Sequence, residues 1–149
     1  MLQTFLSDGR MREFLTQART IAVVGAKDKE GQPVDRVGKY LIQAGYQVIP
    51  VHPIRKDVWS LQTYPSLAEV PFPVDIVNVF RAPQYCPDHA RETVALSPLP
   101  QLFWMQQGIV SPEAASIAGK AGIAVVEDLC IMVEHKRLLG NCYHEENCL

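Results

Sequence analysis

An apolar run that stops at a glycine, Ile21-Ala22-Val23-Val24-Gly25, constrains this chain more than any other feature. Four apolar residues without polar alternation describe a strand covered on both faces, as in a parallel sheet held between helix layers. A helical pattern follows over residues 33–44, with Val37, Tyr40, Leu41 and Ala44 on one face and Gly45 to end it. A second apolar run, residues 46–51, stops at His52-Pro53. Strand, helix, strand is a βαβ unit, and its first turn has no side chain at position 25. Turns of this kind let a phosphate approach backbone N–H groups and a helix N-terminus.

The alternation continues along the chain. Ser7-Asp8-Gly9 supplies N-cap candidates for a helix carrying Met11, Phe14, Leu15 and Ala18 at helical spacing. Residues 74–80 read as a third strand, 87–96 as a helix and 101–105 as a fourth strand. Ser111-Pro112-Glu113 opens the next helix, up to residue 121, with a serine cap, an early proline and an acid near the positive end of the dipole. Residues 123–127 form a fifth strand and 129–139 a last helix stopped by Gly140. Residues 58–64 read as a brief extended piece, and Pro71-Phe72-Pro73 as a connector. With right-handed crossovers this order specifies a Rossmann-like, doubly wound α/β fold: a five-stranded, mainly parallel sheet with helices on both faces. The 149 residues fit one domain, residues 1–140, and a polar tail, residues 141–149.

Composition narrows the partners. A net charge of −2 offers no broad positive field, so nucleic acid is not expected. No apolar run approaches the ~20 residues that cross a bilayer. The start of the chain has scattered charges and no apolar segment before a small-residue cleavage site, unlike a secretory signal. The expected location is the cytoplasm, with no membrane partner and reduced cysteines. Cys86 and Cys130 then read as small core-type residues. Cys142, His144 and Cys148, with Cys130 and His135 upstream, hold the ligand types of a zinc site, but not at the common C-x-x-C spacing. No metal is expected; zinc in the tail is the alternative.

Ligands of an open α/β sheet bind beyond the carboxyl ends of its strands. There the sequence places Gly25-Ala26-Lys27, His52-Pro53-Ile54-Arg55, Phe80-Arg81-Ala82 and Gln106-Gln107-Gly108. The set is rich in glycine, amides and positive charge and has no acid–base pair, so it suits holding an anion more than transforming one. No catalytic residue is expected. The Cys86-Pro87-Asp88-His89 stretch reads as structural, and Trp104 as a core aromatic. The G-x-G-x-x-G fingerprint is missing: only Gly25 and Gly31 flank the loop, and His52 stands where a carboxylate for ribose hydroxyls belongs. An NAD-type oxidoreductase is one alternative. A regulatory interaction module that has kept the fold without a ligand is another.

Val23-Val24-Gly25-Ala26, the stretch from Gly45 to Pro53, the stretch from Val74 to Arg81, Trp104-Met105-Gln106-Gln107-Gly108-Ile109 and Val125-Val126-Glu127-Asp128-Leu129-Cys130 follow a recognisable order. Together they resemble the small, stand-alone CoA-binding domain proteins, which are similar to the N-terminal domain of the succinyl-CoA synthetase α subunit. The resemblance spans residues 20–138. It implies non-covalent binding of coenzyme A or an acyl-CoA, without catalysis. It further implies that Gly25, Ala26 and Lys27 form the phosphate-side turn, and that Pro53 and Arg55 line the adenine and 3′-phosphate side. Val79, Phe80 and Arg81 would flank the ligand, with Met105, Gln106 and Gln107 near the pantetheine. The chemistry of Arg55 agrees, because a guanidinium fork matches phosphate oxygens bidentately. The chain departs from the family where Lys27 replaces a common serine and Gln32-Pro33-Val34 replaces Arg-Pro-Ser; Lys27 and Lys29 restore positive charge.

Overall fold

The structure, a computed structural model, describes residues 6–140. Among the described residues, five strands and five helices follow one another, with β2 and β3 joined without an α-helix: α1 (Asp8–Gln17), β1 (Thr20–Val24), α2 (Pro33–Gln43), β2 (Gln47–Val51), β3 (Ile76–Val79), α3 (Cys86–Val94), β4 (Leu102–Met105), α4 (Pro112–Lys120), β5 (Ala124–Val126) and α5 (Ile131–Leu139). The strands form one sheet in the order β2-β1-β3-β4-β5, every neighbour parallel. This is the doubly wound arrangement expected from the sequence.

Strand alternation sorts the core into two layers. Ile21, Val23, Ile76, Leu102 and Trp104 meet Leu15 of α1, Leu41 of α2 and Ile131 of α5 on one face. Ala22, Val24, Val77, Phe103 and Met105 meet Ala90 of α3 and Ala114 of α4 on the other. The caps follow the sequence signals: the Ser7 hydroxyl accepts from the Arg10 amide and the Ser111 hydroxyl from the Ala114 amide, each at 3.1 Å. Trp104 is fully buried, and its indole N–H donates to the Leu129 carbonyl at 2.7 Å. That bond ends the β5 connection, so α5 starts at Ile131 with Cys130 as N-cap, two residues later than the periodicity suggests.

Two segments differ from the sequence reading for identifiable reasons. β3 is shorter than residues 74–80 because the Asp75 side chain leaves the strand to accept the Arg19 and Thr20 amides, at 2.8 and 3.1 Å. Residues 58–64 are not an extended piece. Val58–Ser60 makes a single helical turn with Asp57, Trp59 and Ser60 in the left-handed region, and Tyr64 alone bridges to Val51. The cause is Trp59, whose indole lies on α2 and donates to the buried Asp35 carboxylate at 2.8 Å. Gly38 makes room for it, since a Cβ there would fall 2.2 Å from the ring.

Cys142, His144 and Cys148 lie outside the described residues. Among the described residues no group of three metal-ligating side chains occurs, and His135 is buried with its Nδ1 2.7 Å from the Tyr40 hydroxyl. Among them, too, no helix is long and apolar enough to cross a membrane.

Candidate functional site: a cationic cleft at the strand ends

The strand order reverses between β1 and β3, because the chain runs from β1 outward to β2 on one side and then crosses back to β3 on the other. Chains leaving these two strands diverge to opposite faces and open a crevice at their carboxyl ends. A cleft of about 780 Å³ occupies that position, bounded by the β1–α2 turn, the ends of β3 and β4, and the start of α5.

The cleft brings together six residues expected from the sequence: Gly25, Lys27, Phe80, Arg81, Gln106 and Gln107. Ala26, Val79 and Met105 are fully buried and are not part of the cleft lining. Pro53 and Arg55 stand at the end of β2, outside the cleft lining. Arg55 reaches toward the cleft's first loop, 3.9 Å from Asp28.

Gly25 has a role the sequence did not show. It adopts φ +87°, and a Cβ would sit 2.6 Å from the Phe80 carbonyl and 3.1 Å from Arg81 Cδ. The glycine therefore admits the end of β3 and the stem of Arg81 over the turn. The Gly25 and Ala26 amides both donate to the Val51 carbonyl, at 2.9 and 3.3 Å. These two N–H groups are committed to β2, so positive charge at this turn comes from side chains and from the start of α2.

Those side chains converge. His52 Nδ1 accepts the Ile54 and Arg55 amides, at 3.1 and 3.0 Å, which folds the β2 end back on itself. Burial, and then the charges of Arg55, Lys27 and Arg81, hold the His52 imidazole below its ordinary 6.5. Three cations from three strand ends thus share one locality. Among the described residues, the only carboxylate within ion-pair range of any of them is Asp28, beside Arg55. Arg81 is aimed by Tyr85, whose ring lies 4.5 Å from the guanidinium carbon. The Cys86 thiol donates to the Arg81 and Ala82 carbonyls, each at 3.7 Å, and stays protonated because burial pushes its pKa up to about 11. Cys86 is thus a fastener for the Arg81 turn, and it makes no pair with His89, which bonds Glu92 at 2.8 Å.

Of the remaining walls, the one built by the start of α5 was not expected from the sequence. Gln32, Pro33 and Val34 open α2 along one side, and Cys130, Met132 and Val133 of the α5 start close the other. Two bonds hold this wall: the Gly108 amide to Asp128 at 2.6 Å, and the Asp128 amide to the Ile109 carbonyl at 3.2 Å. Gln106 Oε1 joins the layers, accepting from Asn78 Nδ2 at 3.3 Å and from the Ile131 amide at 2.9 Å.

Comparison with known proteins bears on the fold and the family. The protein YneT of Bacillus subtilis (strain 168) is 37% identical over 129 residues, which is 87% of this chain and 94% of YneT. A solved structure from Thermus thermophilus is 43% identical, with a TM-score of 0.84, covering 89% of this chain and 99% of that one. A protein of Pyrococcus horikoshii OT3 superposes with a TM-score of 0.87 at 33% identity, covering 94% of this chain and 100% of its own. The model of the CoA binding domain matches residues 19–136, from the end of α1 to α5, and the chain belongs to this CoA-binding domain family.

Proposed function

We propose that this protein holds coenzyme A or an acyl-CoA non-covalently in the cleft, acting as a cytoplasmic binding module that breaks no bond of its ligand. The diphosphate lies over the first βα turn, against Lys27, Arg81 and the N-terminus of α2. The 3′-phosphate turns toward Arg55, and the pantetheine runs along Gln106 and Gln107. In this reading the chain corresponds to the N-terminal, CoA-binding domain of the succinyl-CoA synthetase α subunit.

One observation supports the reading most: Lys27, Arg55 and Arg81 gather around His52 with a single exposed carboxylate near them. Unbalanced cations in a concave site favour a polyanion. The Arg55–Asp28 pair is exposed and worth at most about 1 kcal/mol, so a bidentate phosphate displaces it readily. The cleft volume also fits, lying within the roughly 300–1,000 Å³ of small-molecule sites.

Thermal unfolding tests the proposal. At about a hundredfold excess over Kd, CoA adds roughly 2.7 kcal/mol, or about 5–10 °C in melting temperature for a chain of this size. Dephospho-CoA gives a smaller shift, and Arg55→Ala narrows the difference between the two ligands. Equal shifts from both would remove the 3′-phosphate placement, and no shift from either would remove the function.

A further inference from the structure

The end of the cleft farthest from the cations carries a second kind of chemistry. Gln106 is 5% exposed, and its Oε1 is turned inward to Asn78 and the Ile131 amide. Its side-chain NH2 has no partner among the described residues, and the residue lines the cleft. The NH2 is not sealed in the core but open to the cleft, so a carbonyl on whatever enters can take the place of water there. Cys130 lies directly beside it, since the Ile131 amide that bonds Gln106 is the next residue along the chain. Cys130 is a free, half-buried thiol that also lines the cleft, with Met132 and Val133 as apolar wall. Within the cleft, from the β1 turn with Lys27 to the β4 end is two inter-strand steps, about 10 Å. The cleft therefore has an anion pole at one end and, across the sheet, an amide donor next to a thiol.

We propose that Cys130 is a thiol–disulfide exchange site that captures the coenzyme covalently as a mixed disulfide. The inference rests on the CoA reading and adds a redox-dependent mode of retention to it. The co-reactant is the symmetric disulfide of the coenzyme. The Cys130 thiol gives up its proton, and its sulfur attacks one sulfur of that disulfide. The S–S bond of the ligand breaks, one coenzyme leaves as thiolate with the bonding pair and takes up a proton, and Cys130 is joined to the other. Cys130 is oxidised and one coenzyme reduced; a small thiol reverses the step. Gln106 holds the amide-bearing arm, and the cations hold the head. Cys86 does not compete, because it is fully buried with its thiol on two carbonyls.

The test is intact-mass analysis of the reduced full-length protein after exposure to CoA disulfide, with cystamine as a control disulfide that lacks the anionic head. The expected result is one coenzyme adduct per chain, mapped by peptide sequencing to Cys130, formed at least ~10-fold faster than the cystamine adduct, reversed by dithiothreitol and absent in Cys130→Ser. An adduct only on Cys142 or Cys148, no adduct, or equal rates with cystamine would overturn the proposal. Thermal stabilisation of the wild type by CoA in reducing buffer separates the two readings: if it persists without an adduct, only the covalent step falls. If it is missing, the CoA reading itself falls.

Discussion

His52 shows how a single side chain reports on its site. Its folded form binds a proton less readily than the unfolded one, so the unfolded chain takes up more protons as pH drops through 6.5. The stability this residue contributes is complete above 6.5 and is lost as pH falls below it. His52→Asn keeps an acceptor for the Ile54 and Arg55 amides and loses the titration. Melting temperature should therefore fall more steeply from about pH 7 to about pH 5 in the wild type than in the variant. Proton-detected titration of the ring should place His52 below 6.5, and Lys27→Met should move it back upward. Gly25 makes the opposite case, a residue without a side chain whose replacement is costly. Gly25→Ala meets the Phe80 carbonyl and a positive φ together, and should lose about 2 kcal/mol or more in denaturant unfolding. The sequence marked Gly25, Lys27 and Arg81 as site residues from their place after strands. It could not show that the Gly25 amide was already committed, because the partner carbonyl at Val51 is fixed by the pairing of β1 with β2.

Among the elements, α2 is where propensity and packing disagree. Gly38 sits within the helix and Ala would favour helix by about 1 kcal/mol. The Trp59 ring decides otherwise: a methyl at 2.2 Å displaces the indole and breaks its bond to the Asp35 carboxylate. Gly38→Ala should destabilise the protein by about 2 kcal/mol net, since overpacking and loss of a charged hydrogen bond exceed the propensity gain. Urea unfolding distinguishes the two signs. The regular elements were legible because their signals are local: unbroken apolar runs for β1 and β4, Ser7 and Ser111 as caps, glycine after α2. The turn at Val58–Ser60 was not, because its left-handed residues are held by a contact with a helix some twenty residues earlier. The start of α5 was misplaced for a similar reason, as Leu129 is held by the indole of Trp104 on another strand.

For the molecule as a whole, the site follows from strand order. Alternation of strands and helices was enough to expect a doubly wound sheet, and the resemblance of five short stretches pointed to the family. Neither shows that β5 ends on the far side of the sheet and that α5 returns over the same face as α2. That return builds the Cys130–Val133 wall, residues that the sequence had not marked for the site. The opposite pole of the sheet offers a groove of about 200 Å³ between Val70–Val74 and Leu96–Pro98, below the roughly 300 Å³ of small-molecule sites. The poles therefore make opposed predictions about where a coenzyme goes. Titrating isotopically labelled protein with CoA, and following backbone amide shifts residue by residue, tests this most directly. The account predicts saturable shifts centred on Lys27 to Val34, Arg81, Gln106 to Gly108 and Cys130 to Val133, with the His52 ring moving alongside them. Saturable shifts confined to Val70–Val74 and Leu96–Pro98, or none at all, would contradict it.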